Sequence, residues 1–256
     1  MAHVARKRFG QHFLTDQSVI ESIVAAIRPR ADDTMVEIGP GLEALTRPLL
    51  QRLHKLHVVE IDRDIVARLR LNHACEQLLV HSGDALFFDF GSLGADLRVV
   101  GNLPYNISTP LLFHLAQFAH SIRDMTFMLQ KEVVQRMVAA PGTSDYGRLS
   151  VMLQYRFAME ALFNVPPEAF DPPPKVESAL VRIAPRPDSE LRANDSKHFA
   201  AVVAAAFSQR RKTLRNTLQG TLRAEDFNAL GIDPGLRAEA LSVETFVAIS
   251  NHLTPG

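Results

Sequence analysis

The stretch Asn102-Leu103-Pro104-Tyr105-Asn106-Ile107-Ser108 puts an amide, a proline-stiffened carbonyl and an aromatic ring within four residues. An exocyclic aromatic amine such as N6 of adenine is a poor nucleophile, because its lone pair is delocalised into the ring. Two acceptors offered to its two hydrogens favour a pyramidal nitrogen whose lone pair points outward. The side-chain oxygen of Asn102 and the carbonyl of Leu103, held out by Pro104, suit that task. Tyr105 suits stacking on a flat base. A methyl group moving in line from a sulfonium sulfur to such a nitrogen needs positioning and dipoles, without a covalent intermediate or a metal. The sequence shows no catalytic triad and no metal-ligand cluster. Taken alone, Asn-Leu-Pro-Tyr is also a strand-ending turn, since Asn and Pro are turn formers.

Three further features point to a nucleoside ligand. Glu37-Ile38-Gly39-Pro40-Gly41-Leu42 lies where a β-branched run gives way to a helical pattern. Gly39 and Gly41 let the backbone pass close to a ligand, and the following helix offers unpaired N–H groups. Glu60, 19 residues after Gly41, ends the next β-branched run, where a carboxylate can accept from both ribose hydroxyls. Asp84, in Gly83-Asp84-Ala85 after a third run, is placed to accept from an adenine amino group or to cap a turn. Gly39, Gly41 and Ala44 also satisfy the loose dinucleotide pattern, so these features alone divide between a nicotinamide enzyme and a methyltransferase. The Asn102–Tyr105 stretch favours the methyltransferase.

The elements that must hold these residues read as alternating strands and helices. Strands are expected at 35–38, 57–61, 78–81, 97–100, 125–129, 161–165 and 179–183, with helices over roughly 43–54 and through Leu69. Such alternation gives a doubly wound, mostly parallel sheet with helices on both faces, binding its ligand at the carboxyl ends of the strands. Ala184-Pro185-Arg186-Pro187-Asp188 reads as a boundary between a domain over 1–185 and a helical domain over 186–256. Helices are expected there at 197–207, 210–218, 224–230 and 243–253, with Gly220, Gly231 and Gly235 as stops.

The 256 residues carry no net charge, but the charge is unevenly distributed. Arg6, Lys7 and Arg8 sit in an acid-free segment over residues 1–12; Arg210, Arg211, Lys212, Arg215 and Arg223 sit in another over 207–223. One such run is ordinarily a solvated helix face; two in a neutral chain suggest a localised phosphate-binding surface. No window reaches the roughly 18 apolar residues a membrane span needs, and the basic N-terminus lacks the apolar run of a secretory signal. The single cysteine, Cys75, excludes a disulfide framework. The expected setting is the cytoplasm. No long apolar stripe calls for an obligate dimer, so a monomer is expected.

Four separated motifs then occur in one order: Gly10-Gln11-His12-Phe13-Leu14, Glu37 to Gly41, Asn102 to Ser108, and Phe170-Asp171-Pro172-Pro173-Pro174-Lys175-Val176. Together with Phe207 to Asn216 they resemble the ribosomal RNA adenine N6,N6-dimethyltransferases, over nearly the whole chain. The resemblance is nearest to the bacterial branch that dimethylates two adjacent adenines in the 3′-terminal hairpin of 16S RNA in the small subunit. It implies a Rossmann-like class I methyltransferase domain using S-adenosylmethionine and releasing S-adenosylhomocysteine, without a metal. It also implies that His12 and Leu14 contact the cofactor, that Gly39 lies against its amino-acid end, and that Glu60 and Asp84 bind ribose and adenine. Asn102 would touch both cofactor and target base, and Phe170 would face Tyr105 across a flipped adenine. Read bottom-up, Phe170 before three prolines is a stiff loop presenting one ring, or a core aromatic beside a proline break. The arginines and lysines named above, with Lys175, would bind RNA. Two positions depart from the family: Glu43, where a small residue is common, and His12, where asparagine is common. The competing readings are a large-subunit RNA adenine methyltransferase of the resistance type, a DNA adenine methyltransferase, a non-catalytic assembly factor on the same fold, and a nicotinamide oxidoreductase.

Overall fold

Short runs of β-branched and aliphatic residues that are buried on both faces form parallel sheet, because only helices on both sides can cover them. The computed structural model, which describes residues 12–104 and 107–254, bears this out. The first of its two units runs to Val134 and includes Met159–Pro185. Its main sheet contains β2 (Met35–Ile38), β3 (Leu56–Glu60), β4 (Leu78–Ser82), β5 (Leu97–Asn102), β6 (Ile122–Gln130), β7 (Phe157–Val165) and β9 (Ser178–Pro185). Their order is β4-β3-β2-β5-β6-β9-β7. The pairs β2–β3, β3–β4, β2–β5 and β5–β6 are parallel, while β6–β9 is antiparallel. The chain therefore runs outward from β2 to β4, then crosses back to place β5 on the other side of β2. Such a reversal opens a crevice at the carboxyl ends of the strands.

Helix α1 (Gln17–Ile27) starts at Asp16, whose carboxylate accepts from the N–H groups of Ser18 at 2.8 Å and Val19 at 3.1 Å. It buries Ile20, Ile23, Val24 and Ile27 against the sheet core. Beneath its C-terminal end lies Arg98, the second residue of β5 and 8% exposed. Arg98 donates to Asp33 at 2.8 Å, to Asp124 at 3.0 Å and to the Ile27 carbonyl at 2.7 Å. Arg123 donates to the other oxygen of Asp33 and to Asp96. Burial works against the Asp33 carboxylate, but the bonds and charge of Arg98 and the bond from Arg123 hold its carboxyl below the usual range.

The helix expected over 43–54 is shorter. Only Thr46–Leu50 (α2) is helical, because Pro48 supplies no N–H and Glu43 takes a left-handed φ of 72° that breaks the preceding turn. Helix α3 (Arg63–Asn72) follows β3, α4 (Ser108–Leu115) follows β5, and α5 (Lys131–Val138) follows β6. A pair of two-residue strands escapes the periodicity altogether: β1 (Phe13–Leu14) and β8 (Phe170–Asp171), antiparallel to each other.

The second unit comprises Gln135–Ala158 and the chain from Arg186 onward. It holds α6 (Arg148–Arg156), α7 (Ser196–Ala206), α8 (Leu214–Thr217), α9 (Ala224–Leu230) and α10 (Val243–Leu253). The first unit's last segment ends at Pro185, and residues 135–158 belong with the helical unit. Tyr146 and Val151 are buried with Phe199, Val203 and Phe246, and the ring of Tyr155 packs at a tilt against Phe199. The helix expected over 210–218 is a turn followed by α8 alone. The Leu214 N–H donates to the Leu236 carbonyl at 2.8 Å, which draws the backbone out of helical register. No helix among the described residues is long and apolar enough to cross a membrane.

Candidate active site

The crevice between β2 and β5 is a real cavity of ≈ 340 Å³. Ten of the residues expected to form the site line it: His12, Leu14, Gly39, Gly41, Glu60, Asp84, Asn102, Leu103, Pro104 and Phe170. Residues far apart in the chain meet here because β2, β3, β4 and β5 all end at the same edge. Gly39 and Gly41 take φ of 69° and 52°, conformations that side chains disfavour, so the turn between β2 and α2 passes tightly over the cavity. A β-carbon on Gly41 would touch the ring of Phe13 at 3.4 Å.

Glu60 ends β3 at 6% exposure, and one of its oxygens accepts from the Asp62 N–H at 2.8 Å. Burial pushes its carboxyl up, opposed by backbone hydrogen bonds from Asp62, Ile61 and Gly41. Asp84 does cap a turn, since Leu86 N–H donates to its Oδ1 at 2.9 Å. Asp84 also lines the cavity.

Asn102 closes β5. Its Nδ2 donates to the carbonyl of His12 at 3.3 Å, which directs the amide so that Oδ1 remains the acceptor. The N–H of Leu103 is used by the Met128 carbonyl at 3.2 Å, while its own carbonyl meets no donor among the described residues. Both oxygens are therefore held at the sheet edge, Asn102 as the last residue of β5 and Leu103 by its bond to β6.

The small β1–β8 ladder brings the N-terminal segment and the Phe170 segment together. Leu14 pairs with Phe170 in register, and the N–H groups of Thr15 and Asp16 both donate to the Ala169 carbonyl. Phe170 is not displayed on an open loop; it is 3% exposed, packed among Leu14, Ile20 and Val165, with the cavity on one side. The ring of His12 turns to the Pro172 carbonyl at 2.8 Å, so this residue meets the cavity without using Nδ1 on a ligand. Tyr105, Arg6, Lys7 and Arg8 lie outside the described residues.

Glu43, the unusual residue of the glycine turn, is 1% exposed and fully engaged. His73 Nε2 lies 2.6 Å from one of its oxygens, with Arg47 at 3.4 Å and Arg68 at 3.6 Å. Burial opposes its charge, yet the His73 bond and the charges of His73 and Arg47 hold its carboxyl low. Arg68 also donates to the Gly41 carbonyl at 2.9 Å, so this cluster pins the turn from behind.

Two residues acquire a role only in the structure: Glu37, which lines the cavity, and Gly101, which precedes the lining residue Asn102. Glu37 is buried at 2% exposure, and only its neighbours in space make it unusual. Gly101 sits where β5 approaches β2 so closely that a β-carbon would lie 2.6 Å from the Ile38 carbonyl oxygen. Gly101→Ala is expected to push the strands apart, lower stability by about 1–3 kcal/mol and loosen the cavity. A thermal melt and a cofactor titration by calorimetry check this; an unchanged melting temperature with unchanged affinity would contradict it.

Lys175 is exposed in the first unit. In the second, Arg210, Arg211, Lys212, Arg215 and Arg223 are all exposed. Arg210 donates to the Ser144 carbonyl at 2.7 Å and so holds a loop of its own unit. Arg211, Lys212 and Arg215 pair with no carboxylate among the described residues.

Comparison with known proteins gives a consistent result. Residues 2–255 match the family model described as ribosomal RNA adenine dimethylase. The sequence is 68% identical to the ribosomal RNA small subunit methyltransferase A of Thiobacillus denitrificans, over 98% of both chains. It is 65% identical to the protein of that name from Aromatoleum aromaticum, over 98% of this chain and 95% of the relative. Among solved structures, a dimethyladenosine transferase from Plasmodium falciparum superimposes with a TM-score of 0.80 at 25% identity, over 93% of this chain and 96% of that one. A 23S ribosomal RNA methyltransferase shares the fold, with a TM-score of 0.71 at 24% identity, over 94% of this chain and 99% of that one.

Proposed function

Because this chain belongs to the ribosomal RNA adenine dimethylase family, we propose that it dimethylates N6 of two adjacent adenines in the 3′-terminal hairpin of 16S RNA. The observation that carries this reading is the acceptor pair at the end of β5, Asn102 Oδ1 and the Leu103 carbonyl, set beside the cavity that Glu60 and Asp84 line. The curated relatives carry a small-subunit name at 68% and 65% identity, which favours 16S over large-subunit RNA.

The residues present fit the methyl donor. Glu37 and Glu60 on neighbouring strands and Asp84 just beyond a third line the cavity, beside a glycine turn whose left-handed φ values disfavour side chains. When bound, S-adenosylmethionine supplies an electrophilic methyl on a sulfonium sulfur. Glu60 accepts from the ribose hydroxyls and the second oxygen of Asp84 from the adenine amino group. His12 and Leu14 wall the cavity on the N-terminal side, and Gly39 and Gly41 cradle the amino-acid end. Asn102 and Leu103 accept the two N6 hydrogens of the target, turning the nitrogen lone pair toward the methyl group. Pro104 fixes that carbonyl, and Phe170 and Tyr105 hold the base, which must leave its stack to present N6. Arg6, Lys7, Arg8, Lys175, Arg210, Arg211, Lys212 and Arg215 bind RNA phosphates. In this reading the chain works as a monomer in the cytoplasm, on RNA within the small subunit.

Reverse transcription through the 3′-terminal hairpin tests the site of action. New stops at two adjacent adenines are expected only after incubation with the chain and S-adenosylmethionine; stops elsewhere would refute the assignment. Arg211, Lys212 and Arg215 changed together to Glu are expected to weaken RNA binding and to flatten its salt dependence, by a slope of about 0.7–0.9 for each phosphate no longer neutralised. Cofactor affinity should hold. A fall in cofactor affinity with RNA binding intact would contradict the role given to this cluster.

A further inference from the structure

His12 lines the cavity, and its main chain and its side chain are tied to two different segments. Its carbonyl accepts from Asn102 Nδ2 at 3.3 Å, the bond that leaves Oδ1 as the acceptor. Its ring Nδ1 donates to the Pro172 carbonyl at 2.8 Å. The ladder between β1 and β8 explains this division. Phe13 pairs with Asp171 and Leu14 with Phe170, and the N–H groups of Thr15 and Asp16 both donate to the Ala169 carbonyl. One step further out, the same register sets His12 opposite Pro172. Proline has no N–H, so it can give the His12 carbonyl no donor. The carbonyl turns to Asn102 instead, and the ring supplies the bond that fastens residue 12 to Pro172.

A carbonyl can orient an amide only if the carbonyl itself is held. The carbonyl of His12 and the N–H of Phe13 share one rigid peptide plane. The ladder holds that plane at the Phe13 end, and the His12 ring holds it at the other. Released at the His12 end, the plane can rock about the ladder. The Asn102 amide then loses the contact that tells its oxygen from its nitrogen, and an amide turned over would offer N–H groups to N6 where an acceptor is needed. We propose that His12 is a positioning residue for methyl transfer: its bond to Pro172 holds the His12 carbonyl, which aims the Asn102 oxygen at the target nitrogen. This rests on the acceptor role given to Asn102 above. Two amide side chains separate this role from a contact made by the other ring nitrogen. Asparagine Nδ2 stands as far along the side chain from Cβ as histidine Nδ1, and glutamine Nε2 as far as histidine Nε2.

Single-turnover transfer by the full chain to small subunits lacking the modification, at saturating S-adenosylmethionine and saturating enzyme, reads the reacting step apart from binding. His12→Phe keeps a ring beside the cavity and loses the donor. Its rate is expected to fall by about 10–10²-fold, the cost of slightly misplacing a reacting group. His12→Asn should restore the rate to near the wild-type value, and His12→Gln should not. In Asn102→Asp, which has no Nδ2 to donate, adding His12→Phe should cost nothing further, because both changes break the same path. An unchanged rate in His12→Phe, a rate in His12→Asn no better than in His12→Gln, or losses that multiply in the double variant would each overturn the proposal and leave the methyl-transfer reading standing. Should His12→Phe fail to fold, the asparagine and glutamine variants decide. Absence of transfer by the wild type would overturn the methyl-transfer reading and the proposal together.

Discussion

Asn102→Ala is expected to lower methyl transfer by at least about 10²–10³-fold, the usual loss when one preorganised polar group is removed from a reacting centre. Two functions fail at once in this variant. The acceptor for one N6 hydrogen disappears, and so does the Nδ2 bond that ties the end of β5 to the His12 carbonyl. The fold should survive, because Asn102 is partly exposed at a strand end and its backbone pairing in β5–β6 is kept. Single-turnover transfer to small subunits, run beside a thermal melt, separates the two effects. Near-normal turnover would sink the role of Asn102 as acceptor; a collapsed melting temperature would make the residue structural instead. Asn102→Asp is informative in the same assay, since it keeps acceptors but cannot donate to His12.

The largest loss of stability is expected from Arg98→Met. Arg98 serves two carboxylates and two main-chain carbonyls, those of Ile27 and Arg28, from a nearly buried position. Removing it leaves Asp33, whose side chain is 3% exposed, with Arg123 and the Arg30 N–H as its remaining partners. Breaking a buried ion pair from one side costs about 3–5 kcal/mol, and in a chain of this size that lowers the melting temperature by roughly 10 °C or more. The pH dependence carries a second sign. Because the folded protein holds the Asp33 carboxyl low, its stabilisation is complete above the ordinary carboxylate pKa and is lost as pH falls through the lowered one. Arg98→Met should therefore lose less stability between pH 5 and pH 3 than the wild type. Urea titrations at several pH values check both points; a loss under 1 kcal/mol, or an unchanged acid limb, would show that the cluster contributes little. Well below its melting temperature the variant should keep cofactor binding, since Arg98 lies at the start of β5 and the cavity at its end.

The sheet was legible in the sequence because its central strands β2 and β5 are buried on both faces and its runs are bounded by glycine, proline or acidic turns. Met35–Ile38 and Leu78–Ser82 lie within a residue of where periodicity puts them. Gly39, Glu60, Asp84 and Asn102 were legible for the same reason: each lies at the end of such a run, and parallel strands bring their ends to one edge. What periodicity does not reach is contact between short or irregular segments. The β1–β8 ladder has two residues in each strand and joins positions some 160 residues apart, so nothing local marks it. Residues 135–158 follow a strand of the first unit in sequence, and only the burial of Tyr146 and Val151 among Phe199 and Phe246 assigns them to the second. The upward push on the Glu37 carboxyl is invisible for another reason: it follows from burial and from Glu60 and Glu43 meeting around it in space, against the Thr46 bond. Phe170 combines two readings that the sequence could only set side by side, being both a core aromatic and a wall of the cavity.

Methyl transfer to 16S RNA is reached most directly by one measurement. Small ribosomal subunits lacking the modification are incubated with the chain and methyl-labelled S-adenosylmethionine, and the RNA is digested to nucleosides and read by mass. The expected result is labelled N6,N6-dimethyladenosine from 16S RNA, approaching two per subunit. Label confined to large-subunit RNA, or subunit binding without any label, would contradict it.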